Sequence, residues 1–120
     1  MGGKGISRSV KMEQISMRQL HFDINGTAGT PVASGFSKAD IASVIDNSTG
    51  NYTILLKRPF NLKNVNKAKA MVQSLTPQRS TAITAVAHDR ITIEVTDLAG
   101  VAADADLSIL MIGSDFKLNH

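Results

Sequence analysis

The chain of 120 residues contains no cysteine. This absence excludes disulfide bonds, thiolate metal sites and cysteine nucleophiles. Tryptophan is also absent and aromatic residues make up only 4% of the sequence, so a core has to be built from Val, Ile, Leu, Ala and Met. Cores without large rings are thin, and thin domains commonly gain stability by forming oligomers.

Long apolar runs are missing as well. None approaches the length of a membrane span, and the start Met1–Gly5 is not followed by an apolar stretch of signal-peptide length. We therefore expect synthesis in the cytoplasm and no membrane partner. The apolar fraction of 42% beside 19% charged residues is that of a globular protein, and the length suits one domain.

Patterns that support catalysis or metal binding are not found. There is no serine-centred elbow, no phosphate-binding glycine loop and no paired-carboxylate motif. The histidines lack the short spacing of a metal-binding helix: they are His21, His88 and His120. Asp97, Asp104 and Asp106 carry oxygens suited to calcium, but without an EF-hand pattern we favour a solvated acidic loop. The sequence predicts no enzyme, no cofactor and no metal site.

Charge is unevenly placed along the chain, although the net charge is only +3. The stretch 57–79 is basic and has no acid, whereas the stretch 89–115 is acidic with Arg90 as its one base. The two stretches could pair within the fold or between subunits, or form solvated surface. A basic surface also suits nucleic acid. Only Tyr52 and Phe60 lie near it for base stacking, so we do not expect a nucleic-acid partner.

The first 16 residues contain three glycines and a single acid, Glu13. This composition predicts a flexible basic arm (1–16) that orders on a partner surface, or a frayed terminus without a role. Residues 17–120 are predicted to form a single β-sandwich domain. The candidate partner-binding residues lie in the arm and the basic stretch: Lys4, Ile6, Arg8, Val10, Lys11, Lys57, Arg58, Lys63, Lys67 and Lys69.

Alternation of apolar and polar residues predicts the first strands. Residues 18–24 place Leu20, Phe22 and Ile24 on one face, and the following Asn25-Gly26 is a strong hairpin signal. Residues 27–35 read as a loop or an irregular edge strand. A further strand over 52–56 buries alternate residues and ends near Pro59.

Two segments are ambiguous between strand and helix. In 36–46, Ser37 resembles a helix N-cap and Phe36 with Ile41 a hydrophobic staple, whereas alternation over 42–46 favours a strand. In 62–75, apolar residues fit one helical face, but alternation from about residue 67 also fits a strand. We prefer the strand in both segments.

The last third of the chain predicts strands separated by turns. A strand over 80–87 places Ile83, Ala85 and Ala87 on one side, and Asp89-Arg90 forms a tight turn. In the next strand the inward residues are Ile91, Ile93 and Val95. Residues 97–103 turn around a glycine, and 107–112 is an apolar strand expected to be covered on both faces. Strands at this spacing predict an all-β antiparallel sandwich or barrel.

A family resemblance adds an expectation about function. Residues 50–60, with a Gly-x-Tyr strand that runs to Pro59-Phe60, resemble a pattern in small virion proteins of tailed phages. Residues 91–113 are similar to the end of jelly-roll β-sandwich modules, like those of C1q and tumour necrosis factor, in phage capsid decoration and fibre proteins. The match covers roughly 45–113, whereas the first 40 residues match nothing and 60–67 are more charged than the pattern.

The resemblance implies a jelly-roll-like sandwich that forms a homotrimer and belongs to the capsid surface. Its expected partner is the major capsid protein or another virion protein. The favoured expectation is a capsid decoration, or cement, protein without catalysis. A tail or fibre component and a small nucleic-acid-binding domain that uses 57–79 are the alternatives.

Overall fold

The structure is a computed structural model that describes residues 17–60 and 68–114. These residues form eight strands and, directly before the third strand, one short 3₁₀ helix (Lys38–Asp40). In chain order the strands are β1 (Met17–Asn25), β2 (Ala33–Ser34), β3 (Ile41–Ser48), β4 (Asn51–Leu56), β5 (Lys69–Ser74), β6 (Arg79–Val86), β7 (Arg90–Asp97) and β8 (Asp106–Ser114).

The strands form two antiparallel sheets of four strands each, packed together. The first sheet has the order β2-β1-β8-β5 and the second β3-β4-β7-β6. The predicted all-β sandwich is therefore confirmed. The strand preferred over the helix near residues 67–75 is present as β5, while 61–67 lie outside the described residues. The sandwich has two edges: β5 runs beside β6 at one, and β2 beside β3 at the other.

The register of the first sheet defines two ends of the sandwich. Met17 of β1 pairs with Ser114 of β8, and Asn25 pairs with Asp106. We call these the Met17 end and the Asn25 end. β5 follows the same register, since Lys69 lies across from Ile112 near the Met17 end.

The strands of the second sheet end at the same two ends of the sandwich, the Met17 end and the Asn25 end. Leu56 of β4 lies at the Met17 end, where the neighbouring Arg58 carbonyl accepts a hydrogen bond from Arg18 at 2.6 Å. Tyr52 of β4 lies at the Asn25 end, where its hydroxyl oxygen is 3.0 Å from the Gly26 carbonyl oxygen. Contacts at both ends therefore fix one sheet over the other.

The core is the layer between the sheets, built from alternate residues of the central strands. β1 and β4 bury every second residue, as the alternation predicted. The inward side chains of β7 are likewise fully buried: they are Ile91, Ile93 and Val95. Burial of each such aliphatic side chain contributes roughly 1.5–3 kcal/mol, which stabilises a core with few rings.

The prediction for β6 is wrong in one respect. A bulge between Ile83 and Ala85 changes the alternation, so that Ile83 pairs with the inward Ile93 and Ala85 with the outward Thr92. Ile83 and Ala85 therefore point to opposite faces, because one extra residue reverses the side of every residue after it. The neighbouring turn is present one residue earlier than predicted, at His88-Asp89, since the Ala87 N–H is bonded to the Arg90 carbonyl and Arg90 begins β7.

The segment around Phe36 combines both alternatives considered for it. Ser37 precedes the short 3₁₀ helix but makes no side-chain cap, and its hydroxyl instead accepts the His21 N–H at 2.8 Å. The preferred strand follows as β3. The hydrophobic staple between Phe36 and Ile41, part of the helix alternative, is absent, since Phe36 is 99% exposed.

Asn25-Gly26 does not form a tight two-residue hairpin. Neither residue adopts a positive φ; instead a loop leads to the two-residue edge strand β2. Gly26 is required for another reason, because a Cβ there would come within 2.1 Å of the Ala105 carbonyl oxygen and 2.6 Å of the Tyr52 hydroxyl. The glycine therefore permits close packing of two loops.

Candidate functional site

Three of the predicted partner-binding residues fall within the described residues. Lys57 follows β4, Arg58 contributes the carbonyl that Arg18 binds, and Lys69 begins β5 on the outer face of the first sheet. The others lie outside the described residues: Lys4, Ile6, Arg8, Val10, Lys11, Lys63 and Lys67. The predicted arm, 1–16, also lies outside them, and its first described neighbour is Met17.

Lys57 and Lys69 do not share one surface. Lys57 lines a groove of about 500 Å³ between the edge strands β2 and β3, where Lys38 is the other charged residue and Val32, Ala33 and Val44 give apolar walls. Lys69 belongs to β5, at the other edge of the sandwich. The described part of the basic stretch is therefore divided between two sides of the molecule.

Charge is segregated along the strand direction. Six of the seven described cations lie in the half of the sandwich at the Met17 end: Arg18, Lys38, Lys57, Arg58, Lys69 and Arg90. Six of the eight described acids lie in the half at the Asn25 end: Asp23, Asp46, Glu94, Asp97, Asp104 and Asp106. The described sandwich thus has a basic half and an acidic half.

This segregation limits pairing of the basic and acidic stretches within one copy. Arg79 is one exception, since it lies across from Asp97 in the β6–β7 ladder. Asp89 is another, since its carbonyl accepts the Leu56 N–H at the Met17 end. The remaining described cations of the basic stretch and acids of the acidic stretch lie toward opposite ends of the sandwich.

A buried hydrogen-bond network closes the Asn25 end. The Tyr52 hydroxyl donates to Oδ1 of Asp104 at 2.8 Å, and the same oxygen accepts the Gly50 N–H at 2.8 Å. The Arg79 side chain donates to the Asp104 carbonyl at 3.0 Å. Burial, together with the hydrogen bond to Asp104, raises the pKa of Tyr52 above its ordinary value. The network connects three loops and holds a neutral phenol.

The acids whose oxygens would suit calcium cap loops instead. Oδ1 of Asp97 accepts the N–H groups of Ala99 and Val101, while Oδ1 of Asp106 accepts the backbone N–H and the hydroxyl of Thr27. Across 17–60 and 68–114, no group of three or more His, Asp or Glu side chains is placed to hold a metal ion. Asp97 therefore organises the turn that contains Gly100, a glycine at φ 85°, while Asp106 holds the loop that follows β1.

An exposed apolar surface covers the outer face of the first sheet. Met71 of β5 lies across from Leu110 of β8, and Ile112 lies two residues further along β8. Met71 is 69% exposed, whereas Leu110 and Ile112 are half-buried. We call these three side chains the apolar stripe. The expectation that β8 is covered on both faces is wrong for the described residues, since its inner face is buried and its outer face carries this stripe.

The sequence contained a signal for this surface. The run 109–112 has no polar residue, so a strand there must present apolar side chains to both faces. Two shallow depressions flank Met71, with volumes of about 230 Å³ on the Gln73 side and about 320 Å³ on the Lys69 side. Apolar side chains beside depressions form a surface suited to contact with protein rather than water.

Comparison with known proteins adds no relative. No family model, no curated protein and no solved structure matches the chain. Among the described residues, no helix is both long enough and apolar enough to cross a membrane.

Proposed function

We propose that the chain is a structural virion protein, a capsid decoration or cement protein that binds the major capsid protein lattice and stabilises the head. The observation that carries the structural role is the apolar stripe on the outer face of a regular sheet. Single exposed apolar residues are ordinary, whereas a contiguous group of them across two neighbouring strands marks a contact surface. The capsid assignment itself rests on the resemblance of residues 45–113 to phage modules.

The basic half supplies the surface proposed to face the lattice. Lys57 and Arg58 lie at the Met17 end, and the segment 1–16 joins the sandwich there through Met17. The segment that carries Lys4, Arg8 and Lys11 is therefore connected in sequence to the basic end of the sandwich. A basic end meets an acidic lattice favourably, and ordering of the segment costs roughly 1–2 kcal/mol per residue, which many contacts must offset.

A co-sedimentation experiment tests this function. The purified chain is mixed with head particles assembled from the major capsid protein of the same genome, and the bound fraction is measured after pelleting. We expect saturable binding that falls when residues 2–12 are deleted or when Lys57→Glu is introduced. Glu94→Lys, a charge reversal in the acidic half, is the matched control and should leave binding unchanged.

The alternatives predict other outcomes of the same mixture. Retention by tails or fibres but not by heads would support a tail or fibre component. Retention by DNA that falls steeply with salt would support a nucleic-acid-binding domain. Absence of binding to any virion part would overturn the proposed function. The resemblance also implies a homotrimer, and a mass of three chains for the free protein in sedimentation equilibrium would support that state over a twofold pairing.

A further inference from the structure

The outer face of the first sheet has an ordered arrangement around Leu110. Leu110 lies across from Met71 of β5 on one side and across from His21 of β1 on the other. All three side chains point away from the core, since their sequence neighbours on each strand point inward. Leu110 is therefore at the centre of a face formed by β1, β8 and β5.

Two opposite charges occupy diagonal corners of this face. Lys69 on β5 lies across from Ile112, two residues from Leu110 toward the Met17 end. Asp23 on β1 lies across from Ser108, two residues from Leu110 toward the Asn25 end. The cation and the acid are thus placed symmetrically about Leu110 on opposite neighbouring strands.

The other diagonal carries two identical amides. Gln19 lies across from Ile112 on β1, and Gln73 lies across from Ser108 on β5. Both side chains are exposed. An amide both donates and accepts hydrogen bonds, so each glutamine can bind the same residue of a second copy. Every corner of the face therefore has a suitable partner on an identical face.

We propose that this face is an isologous interface at which a second copy of the chain packs about a twofold axis through Leu110. The axis exchanges Lys69 of each copy with Asp23 of the other. It brings the two copies of Leu110 together and lays Met71 and Ile112 of each copy over the His21 and Ser108 side of the other. It also turns the basic half of each copy toward the acidic half of the other. In a twofold interface every contact occurs twice, so each charge pair contributes twice.

Packing supports the same arrangement. Met71 protrudes between the two depressions of the face, and under this axis the depression on the Gln73 side of each copy can receive the methionine of the other. Methionine adapts to irregular gaps, and contact removes its exposed surface from water. Sheets commonly pack face to face in this way, with aligned or crossed strands. This pairing does not depend on a role in a virion.

Charge reversal provides the first test. Sedimentation equilibrium of the full chain should give a mass of two chains. Lys69→Glu or Asp23→Lys alone should weaken dimerisation about tenfold, because each places like charges together at two symmetric sites. The double variant Lys69→Glu/Asp23→Lys restores opposite charges and should recover the dimer. Lys57→Glu, a reversal outside this face, is the matched control and should not change the mass.

A single introduced cysteine provides the second test, since the chain has none of its own. Leu110→Cys should form a covalent dimer on oxidation, because a twofold axis brings identical residues together. Ala82→Cys, on the outer face of the second sheet, should remain monomeric on denaturing gels. A single-chain or three-chain mass would overturn the twofold pairing, as would failure of the double charge variant to recover the dimer. The capsid-binding proposal would be unaffected by these results.

Discussion

The hydroxyl of Tyr52 donates a hydrogen bond to Oδ1 of Asp104 at 2.8 Å, between strand β4 and the loop that leads into β8. The same hydroxyl lies 3.0 Å from the Gly26 carbonyl and 3.4 Å from the Ala105 N–H. Tyr52 is fully buried. One side chain therefore joins the loops that connect the two sheets at the Asn25 end. Loss of its hydroxyl should destabilise the whole sandwich.

Tyr52→Phe should lower the free energy of unfolding by about 1–3 kcal/mol, because the buried partners of the hydroxyl lose a hydrogen bond without gaining water. Urea unfolding followed by circular dichroism measures the change. Asp104→Asn keeps an acceptor oxygen and should cost less than Asp104→Ala. Equal stability of the wild type and Tyr52→Phe would show that the network does not stabilise the fold.

Alkaline pH should destabilise the protein through the same residue. The pKa of Tyr52 is raised in the folded state, mainly by burial and by the hydrogen bond to Asp104. Below about pH 10 the phenol is protonated in both states. Above that pH the unfolded chain releases its proton while the native state keeps it, so stability falls as pH rises.

Unfolding free energies should be measured between neutral pH and the alkaline range for the wild type and Tyr52→Phe. The difference between the two proteins isolates the contribution of Tyr52 from the contributions of all other groups. Since the chain has a single tyrosine, phenolate absorbance should appear together with unfolding. Appearance of phenolate near pH 10 in the folded protein would contradict the prediction.

Truncation of a side chain to alanine should change the free energy of unfolding by different amounts on the two faces of β7. Ile93 is fully buried, while Glu94 is exposed. Ile93→Ala removes packed methyl and methylene groups and should cost about 2–5 kcal/mol. Glu94→Ala should change the free energy of unfolding by about 0.5 kcal/mol or less. Similar losses for both variants, measured by urea unfolding, would mean that the alternation in this strand has been misinterpreted.

The sequence predicted the strands whose two faces differ. β1, β4 and β7 alternate strictly, because one face meets the core and the other meets solvent. The same reasoning failed for β6, because the bulge after Ile83 moves the following residues to the opposite face of the sheet. No local sequence pattern indicates this bulge. Gly26 was misassigned because its requirement comes from Tyr52 and Ala105, which are distant in sequence.

The candidate surface was only partly predictable, for a similar reason. The unbroken apolar run of β8 indicated that both faces of this strand are covered. We expected that cover to come from the chain's own fold. The symmetric placement of Lys69 and Asp23 about Leu110 depends on the pairing of β1 and β5 with β8, a long-range register. Local sequence patterns predict which residues point outward on each strand. Only the order and register of the strands show how these residues are arranged around Leu110.

Gly113 should not tolerate a side chain. A Cβ at this position would lie 2.6 Å from Cδ1 of the buried Phe60 ring, and the Arg18 guanidinium lies 4.4 Å from the centre of that ring. The ring is therefore held between β8 and Arg18 and has little freedom to move. Gly113→Ala should lower the free energy of unfolding by about 1–3 kcal/mol, the usual cost of overpacking.

Gly29→Ala is the matched control for this variant, since a Cβ at Gly29 would have no neighbouring atom within 4 Å and the φ of this residue is not positive. It should be neutral or slightly stabilising, because alanine restricts the unfolded chain. The double variant Gly113→Ala/Phe60→Leu relieves the overlap, so the two changes should cost less together than the sum of their separate effects. Additive losses in urea unfolding would show instead that Gly113 and Phe60 do not compete for the same space.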